Sequence, residues 1–291
     1  MSPRRADLPF LSNRSELLSE PLWVRLLLLT LALTFLGGFL FLPLFVVFGE
    51  ALAQGFAFYF ATLRTPDAQS AIGLTLLVAL VAIPCNLLFG VSAAWAIAKF
   101  RFPGRALLLT LIDLPFSVSP VVAGLIFILM FGAQGWATPL LRPFDVKIVF
   151  AVPGIILATL FVTFPFIARE LIPLMEEQGV EDEESALMLG ASGWQTFWRV
   201  TLPNVRYGLM YGVLLCNARA MGEFGAVSVI SGHIRGLTNT MPLHVEVLYN
   251  EYEFVAAFAV ASLLTILALV TLGVKNVLQW RYRDQLQAAE H

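Results

Sequence analysis

Glu184-Ser185-Ala186-Leu187-Met188-Leu189-Gly190, then nine residues, then Val200-Thr201-Leu202-Pro203, make up the polar stretch between the fourth and fifth apolar segments. These residues read as two helices hinged at a glycine. Asp182 and Glu183 stand where the positive end of a helix favours negative charge. Gly190 suits the left-handed conformation that closes a helix. Ser192, with Gln195 three residues on, has the pattern of a capping box opening a second helix. On that helix Trp194, Phe197, Trp198, Thr201 and Leu202 recur at helical spacing and predict one apolar face. Pro203 ends the unit. In a loop outside the bilayer such a face is either a docking surface or a plain helical hairpin, and the helical signals alone leave both open.

The surrounding chain is built for lipid. It is 58% hydrophobic and 13% charged, with a mean hydropathy of +0.81, where a soluble domain carries about 25% charged residues. A membrane-crossing helix needs roughly 20 mostly apolar residues. Six stretches qualify, at 22–48, 71–98, 107–131, 148–168, 207–231 and 254–274. The first is too long for a signal-peptide core and has no small-x-small cleavage site after it, so it reads as a retained anchor. The fold class is therefore all-α: a polytopic membrane protein with about six transmembrane helices. Residues 1–21 form an N-terminal tail with a short helix near Leu17, 22–275 the membrane domain including the loop at 175–205, and 276–291 a C-terminal tail.

Charge sets the expected orientation. With the N-terminus in the cytoplasm, the inside segments hold Arg4, Arg5, Arg14, Arg25, Lys99, Arg101, Arg105, Arg169, Arg199, Arg206, Lys275, Arg281 and Arg283. The outside loops hold Arg64, Arg142, Lys147 and Arg235. Thirteen against four is a strong positive-inside bias. It predicts that both termini and the Glu184 loop face the cytoplasm. None of the three lysines follows a glycine, so the chain has no phosphate-binding loop. Any ATP that drives it is bound by another polypeptide.

The fifth apolar stretch contains charge. Read as one helix, Gly208, Gly212, Cys216, Arg219, Glu223 and Ala226 form a stripe, with Leu209, Val213, Ala220, Phe224 and Val227 opposite. A cation facing lipid at mid-span costs at least about 2.5–3.5 kcal/mol, so Arg219 requires a partner. Glu223, one turn on, is the natural one. The pair is either a structural lock or the lining of a route for an anion. Gly222 and Gly225 flank Glu223 and predict a bend there. In the third stretch Pro115 and Pro120 each remove a backbone donor, which Ser117, Ser119 and water would offset beside a cavity. Asp113 is expected to snorkel or to pair with a base, and Asn86 to bond between helices. Cys85 and Cys216 read as packing residues. Residues 132–147 read as an irregular loop and 232–253 as a solvated one. There His244-Val245-Glu246 would share a strand face, but no metal site is expected.

The 184–203 spacing resembles the "EAA" loop of ATP-binding-cassette importer permeases, with Ser185 where alanine is usual. Residues 218–226, Ala-Arg-Ala-Met-Gly-Glu-Phe-Gly-Ala, resemble a segment of molybdate- and sulfate-type permeases. Ser231-Gly232-His233-Ile234-Arg235-Gly236-Leu237-Thr238-Asn239-Thr240, with Asp113-Leu114-Pro115-Phe116-Ser117-Val118-Ser119-Pro120 upstream, resembles the sulfate/thiosulfate branch, CysW-like. The likeness runs from about residue 70 to 283.

What the resemblance implies is a MetI-like permease bundle and no catalytic residue in this chain. Glu184, Ser185, Ala186, Gly190, Val200, Leu202 and Pro203 would grip a dimer of CysA-like ATPase subunits, which bind ATP and magnesium. Arg219, Glu223, Gly222, Ser117 and Ser119 would line the substrate route. The other implied partners are a CysT/CysU-like second permease, a periplasmic sulfate/thiosulfate-binding protein and the lipid bilayer of a bacterial inner membrane, with no nucleic acid. The rival readings are an importer for molybdate, tungstate or phosphate, and a stand-alone transporter or channel.

Overall fold

The computed structural model describes residues 21–288 apart from residue 145, without the side chains of residue 142 and of 278–288. The expected helix near Leu17 lies outside the described residues. The chain divides into two units, 1–49 and 50–291. In the first, α1 (Leu22–Ala51) is 30 residues long, contains Pro43, and exposes large apolar side chains on every turn.

The second unit begins with α2 (Gly55–Leu63) and α3 (Pro66–Lys99), the latter entered by Pro66 behind a Thr65 cap that accepts from Ala68 N–H. It continues through α4 (Arg105–Ser117), α5 (Pro120–Phe131) and the short α6 (Thr138–Leu141). Then come α7 (Val152–Glu177), α8 (Glu181–Met188), α9 (Gly193–Thr196) and the single turn α10 (Leu202–Asn204). Helices α11 (Arg206–Met221), α12 (Gly225–Ile230), α13 (Met241–Asn250) and α14 (Phe254–Ala288) complete it. The described residues contain no strand.

Among the described residues four helices are long and apolar enough to cross a membrane, α1, α3, α7 and the Phe254–Val277 part of α14. The pair α4 and α5 adds a fifth span if counted as one, but it bends by 107°. Of the six expected stretches, two are interrupted. Pro115 and Pro120 withhold donors, the chain is extended at Val118 and Ser119, and the third stretch becomes two helices. The fifth stretch ends as a helix at Met221 and restarts at Gly225. Two further expectations change. Helix α13 is no solvated loop: its Met241, Leu243, His244 and Leu248 are buried. Burial pushes the His244 imidazole pKa down, Asp67, Glu251 and Glu253 pull it up, and Arg235 pushes it further down. The 132–147 loop holds a short helix and a 3-10 turn.

Between helices in lipid there is no hydrophobic driving force, so close packing and polar contacts must hold them. The core does this with glycine. A Cβ on Gly90 of α3 would lie 2.8 Å from Ile167 Cβ on α7, and one on Gly212 of α11 would lie 3.3 Å from Ile167 Cα. Three helices thus meet at one isoleucine. Beside it, Asn86 donates to the Thr163 hydroxyl at 2.6 Å and to Cys216 Sγ at 3.6 Å, which joins the same helices by hydrogen bonds. Both cysteines are free thiols, as packing residues should be.

Overpacking at such a contact costs about 1–3 kcal/mol. Gly90→Val is expected to lower the melting temperature of the detergent-purified protein and its abundance in the membrane. Gly73→Ala, with nothing within 4 Å of its added Cβ, is expected to change neither. Equal melting temperatures for the two variants would contradict the Ile167 contact.

Candidate functional site

The 184–203 loop has the local chemistry its residues dictate. Helix α8 carries Glu181, Asp182, Glu183 and Glu184 in its first turn. Gly190 closes it at φ +89°, where a Cβ would be strained. Both halves of the Ser192–Gln195 capping box are present, at 2.9 and 3.3 Å. Past Thr196 the helix widens into a π turn over Phe197–Thr201, closed by Leu202 N–H donating to the Phe197 carbonyl.

The expected single apolar face is divided. Phe197 and Thr201 turn inward and are buried, whereas Trp194 and Trp198 stay exposed. Phe197 belongs to the main core with Ile97, Ile167 and Leu171, its ring 4.8 Å from that of Trp95. The loop is thus rooted in the bundle by one ring. The exposed remainder is a patch of Leu187, Met188, Leu189, Trp194 and Trp198, with Met188 and Leu189 at 88% and 90% exposure. Of the expected gripping residues, Glu184, Ser185, Gly190 and Pro203 are exposed, and Ala186, Val200 and Leu202 are half-buried.

Sequence reasoning missed the residue that ties this loop down. Lys99 ends α3 and forms an ion pair with Glu183 at 2.9 Å, both side chains largely buried. Lys99 also donates to the Gly179 carbonyl. Glu183 accepts from the Thr201 hydroxyl at 3.1 Å. Nearby, Arg105 of α4 pairs with Glu176 of α7 and donates to the Ile97 carbonyl at 3.0 Å. The ends of α3, α4 and α7 therefore gather at the loop. The available signal was a lysine closing an apolar stretch, one of three lysines in the chain.

The second candidate site lies at the broken helices. Arg219 is in the last turn of α11, where the negative end of a helix favours a cation. Its Nη1 stands 2.8 Å from Glu223 Oε2, with the arginine side chain 35% and the glutamate side chain 1% exposed. The other glutamate oxygen accepts from Ala226 N–H at 3.0 Å, in the first turn of α12. The pair therefore spans a break, at the place where the flanking glycines predict a bend. Glutamate is the buried structural member; the guanidinium keeps part of its donor fork open.

The two breaks adjoin. A Cβ on Gly225 would lie 2.9 Å from Pro120 Cβ, and one on Gly124 2.7 Å from the Ala226 carbonyl. The exposed residues Ser117, Ser119 and Gly222 flank this contact. Behind Gly222 a cleft of about 230 Å³ opens between α11 and α14, lined by Ala218, Met221, Leu264, Thr265, Ala268 and Thr271. Asp113 pairs with Arg169 of α7 at 2.7 Å, the second of its two expected outcomes. No group of three or more metal-ligating residues exists among the described residues.

Comparison with known proteins agrees with this architecture. The sulfate transport system permease protein CysW of Synechocystis is 52% identical over 258 residues, covering 89% of this chain and 94% of that protein. The sulfate transport system permease protein CysT of Escherichia coli K12 is 38% identical over 251 residues, covering 86% and 91%. A chain in the crystal structure of a bacterial alginate ABC transporter, in complex with an alginate pentasaccharide-bound periplasmic protein, has the same fold. It superposes with a TM-score of 0.75 at 18% identity, over 89% of this chain and 94% of its own. Residues 86–284 match the family of binding-protein-dependent transport system inner membrane components, and with this match and those relatives the chain belongs to that family.

Proposed function

We propose that this chain is a membrane-spanning permease subunit of an ATP-binding-cassette importer for sulfate and thiosulfate, worked by a separate ATPase docking on the 184–203 loop. The anion is carried over from the relatives, above all the sulfate permease that is 52% identical over 89% of this chain. The observation that supports docking is the exposed patch of Leu187, Met188, Leu189, Trp194 and Trp198, held on a buried Phe197. An apolar surface this concentrated, on a loop otherwise rich in acids, is what a protein partner covers. The positive-inside count supports placing the loop and both termini in the cytoplasm, where ATP is.

A CysT-like permease is the expected second membrane subunit, because relatives of both names belong to sulfate transport systems. The family's description supports a binding protein outside. Such a protein delivers the anion, the ATPase pair closes on ATP, and rigid-body motion of the loop switches which side of the route is open. At the breaks, Arg219 offers the anion hydrogen bonds that Glu223 leaves unused. A cation already half neutralised holds an anion weakly, which suits release. Ser117 and Ser119 add hydroxyls on the adjoining break. The chain makes and breaks no bond in its cargo.

The test is the reconstituted complex in proteoliposomes with its binding protein. Sulfate is expected to stimulate ATP hydrolysis and to enter only with ATP. Stimulation by molybdate, tungstate or phosphate instead would reassign the anion. Uptake by this chain alone without nucleotide would overturn the importer reading.

Gly190→Val forces a β-branched residue into left-handed backbone, a strain of about 1–2 kcal/mol. Uptake per ATP hydrolysed is expected to fall while the subunit still inserts. Arg219→Ala by itself strands the buried Glu223 carboxylate, and so tests stability rather than transport. The double variant Arg219→Met with Glu223→Gln removes both charges and keeps an acceptor for Ala226 N–H. It is expected to assemble normally yet fail to import sulfate. Normal import by that variant would make the pair purely structural.

A further inference from the structure

We propose that Lys99 is a positioning residue for transport: through Glu183 it clamps α8 to the end of α3 and carries the motion of the docking loop into the bundle. This rests on the reading that an ATPase docks on the loop. It adds the link by which that docking is felt by the membrane helices.

The need for a clamp follows from the backbone. Helix α8 bears the exposed Leu187 and Met188 and lies between two glycines with left-handed conformations, Gly179 at φ +66° and Gly190 at φ +89°. A short helix between two such hinges pivots unless its flank is tied. Phe197 roots the second half of the loop, but it lies beyond Gly190 and cannot hold α8.

Lys99 supplies the tie. Its ammonium reaches Glu183 at 2.9 Å with the lysine side chain 6% and the glutamate side chain 15% exposed. It also donates to the Gly179 carbonyl at the first hinge. The same Glu183 carboxylate accepts from Thr201 in the π turn at 3.1 Å. One ion pair therefore fixes the end of α3, the start of α8 and the far limb of the loop. The other tie on α8, Asn204 Nδ2 donating to Asp182 at 3.0 Å, is exposed and stays within the loop. The Arg105–Glu176 and Arg169–Asp113 pairs are each more than two-fifths exposed on both sides. Water screens such pairs strongly and the desolvated one far less.

From Lys99 the path continues along one rigid helix. Gly90 and Asn86, two to four turns back in α3, make the contacts with Ile167, Thr163 and Cys216. Ile167 in turn abuts Gly212 of α11, the helix that ends at the Gly222 break. A push on α8 thereby reaches the break through packed, discrete contacts.

The experiment uses the full complex in proteoliposomes and reads sulfate carried per ATP hydrolysed. Lys99→Met and Glu183→Gln are expected to retain the ATPase and hydrolyse ATP, with that ratio reduced about tenfold, the scale of a pair coupling within one network. Lys99→Arg is expected to keep it, and the exchanged pair Lys99→Glu with Glu183→Lys to recover much of it. An unchanged ratio in Lys99→Met overturns the clamp. So does loss of the ATPase from Lys99→Met, or an exchanged pair that couples no better than Lys99→Met. A cross-link from Leu189→Cys to the ATPase separates the two readings. Its absence in the otherwise wild-type complex overturns docking, whereas its presence with an unchanged ratio in Lys99→Met overturns the clamp alone.

Discussion

Ile167 is the point at which α3, α7 and α11 are brought together, and the main core of the second unit is built around that contact. Lipid tails are as apolar as any side chain, so burial by itself does not drive helices together in a bilayer. What remains is fit. The missing side chains of Gly90 and Gly212 let α3 and α11 approach α7 to backbone distance. The Asn86 amide, held by Thr163 and Cys216, makes the same approach by polar contact. Phe197 and Val205 enter this core from the loop side, so the 184–203 loop and the helices share one packed body.

A second constraint shapes the two broken stretches. Backbone without regular hydrogen bonding is tolerated at membrane depth only where protein or water satisfies it. The two breaks, at Val118–Ser119 and at Gly222–Phe224, meet that condition by lying against each other through Pro120 and Gly225. The charges there follow the same logic. Arg219 closes one helix and Glu223 opens the next, so each sits at the helix end whose polarity suits it. A charged pair that would be out of place within a continuous span is stabilised by the interruption itself.

Local signals were legible where they act locally. Gly190 in left-handed backbone, the Ser192–Gln195 box and the acidic first turn of α8 were readable because a cap depends on residues three or four apart. The interruption at Glu223 was readable from its flanking glycines, and the Asn86 bridge from a lone amide in an apolar stretch. The inward turn of Phe197 away from Trp194 and Trp198 was not readable. Which of these rings is covered depends on the core beneath them, to which Ile97, Ile167 and Leu171 contribute. His244 was misread because α13 packs against α14 and against α3, and α3 is distant in sequence.

By itself the sequence determined that the chain is an all-helical membrane protein, where its polar loop lies, how that loop is capped, and through close relatives its family. The first three follow from composition, from periodicity and from hydrogen bonds between near neighbours; the family rests on the relatives. Only the tertiary structure decided which acid of the loop is buried, that Lys99 is its partner, and that the two broken stretches touch. Those outcomes depend on which helices lie side by side, and a carboxylate's partner is chosen by distance in space, which spacing along the chain does not encode.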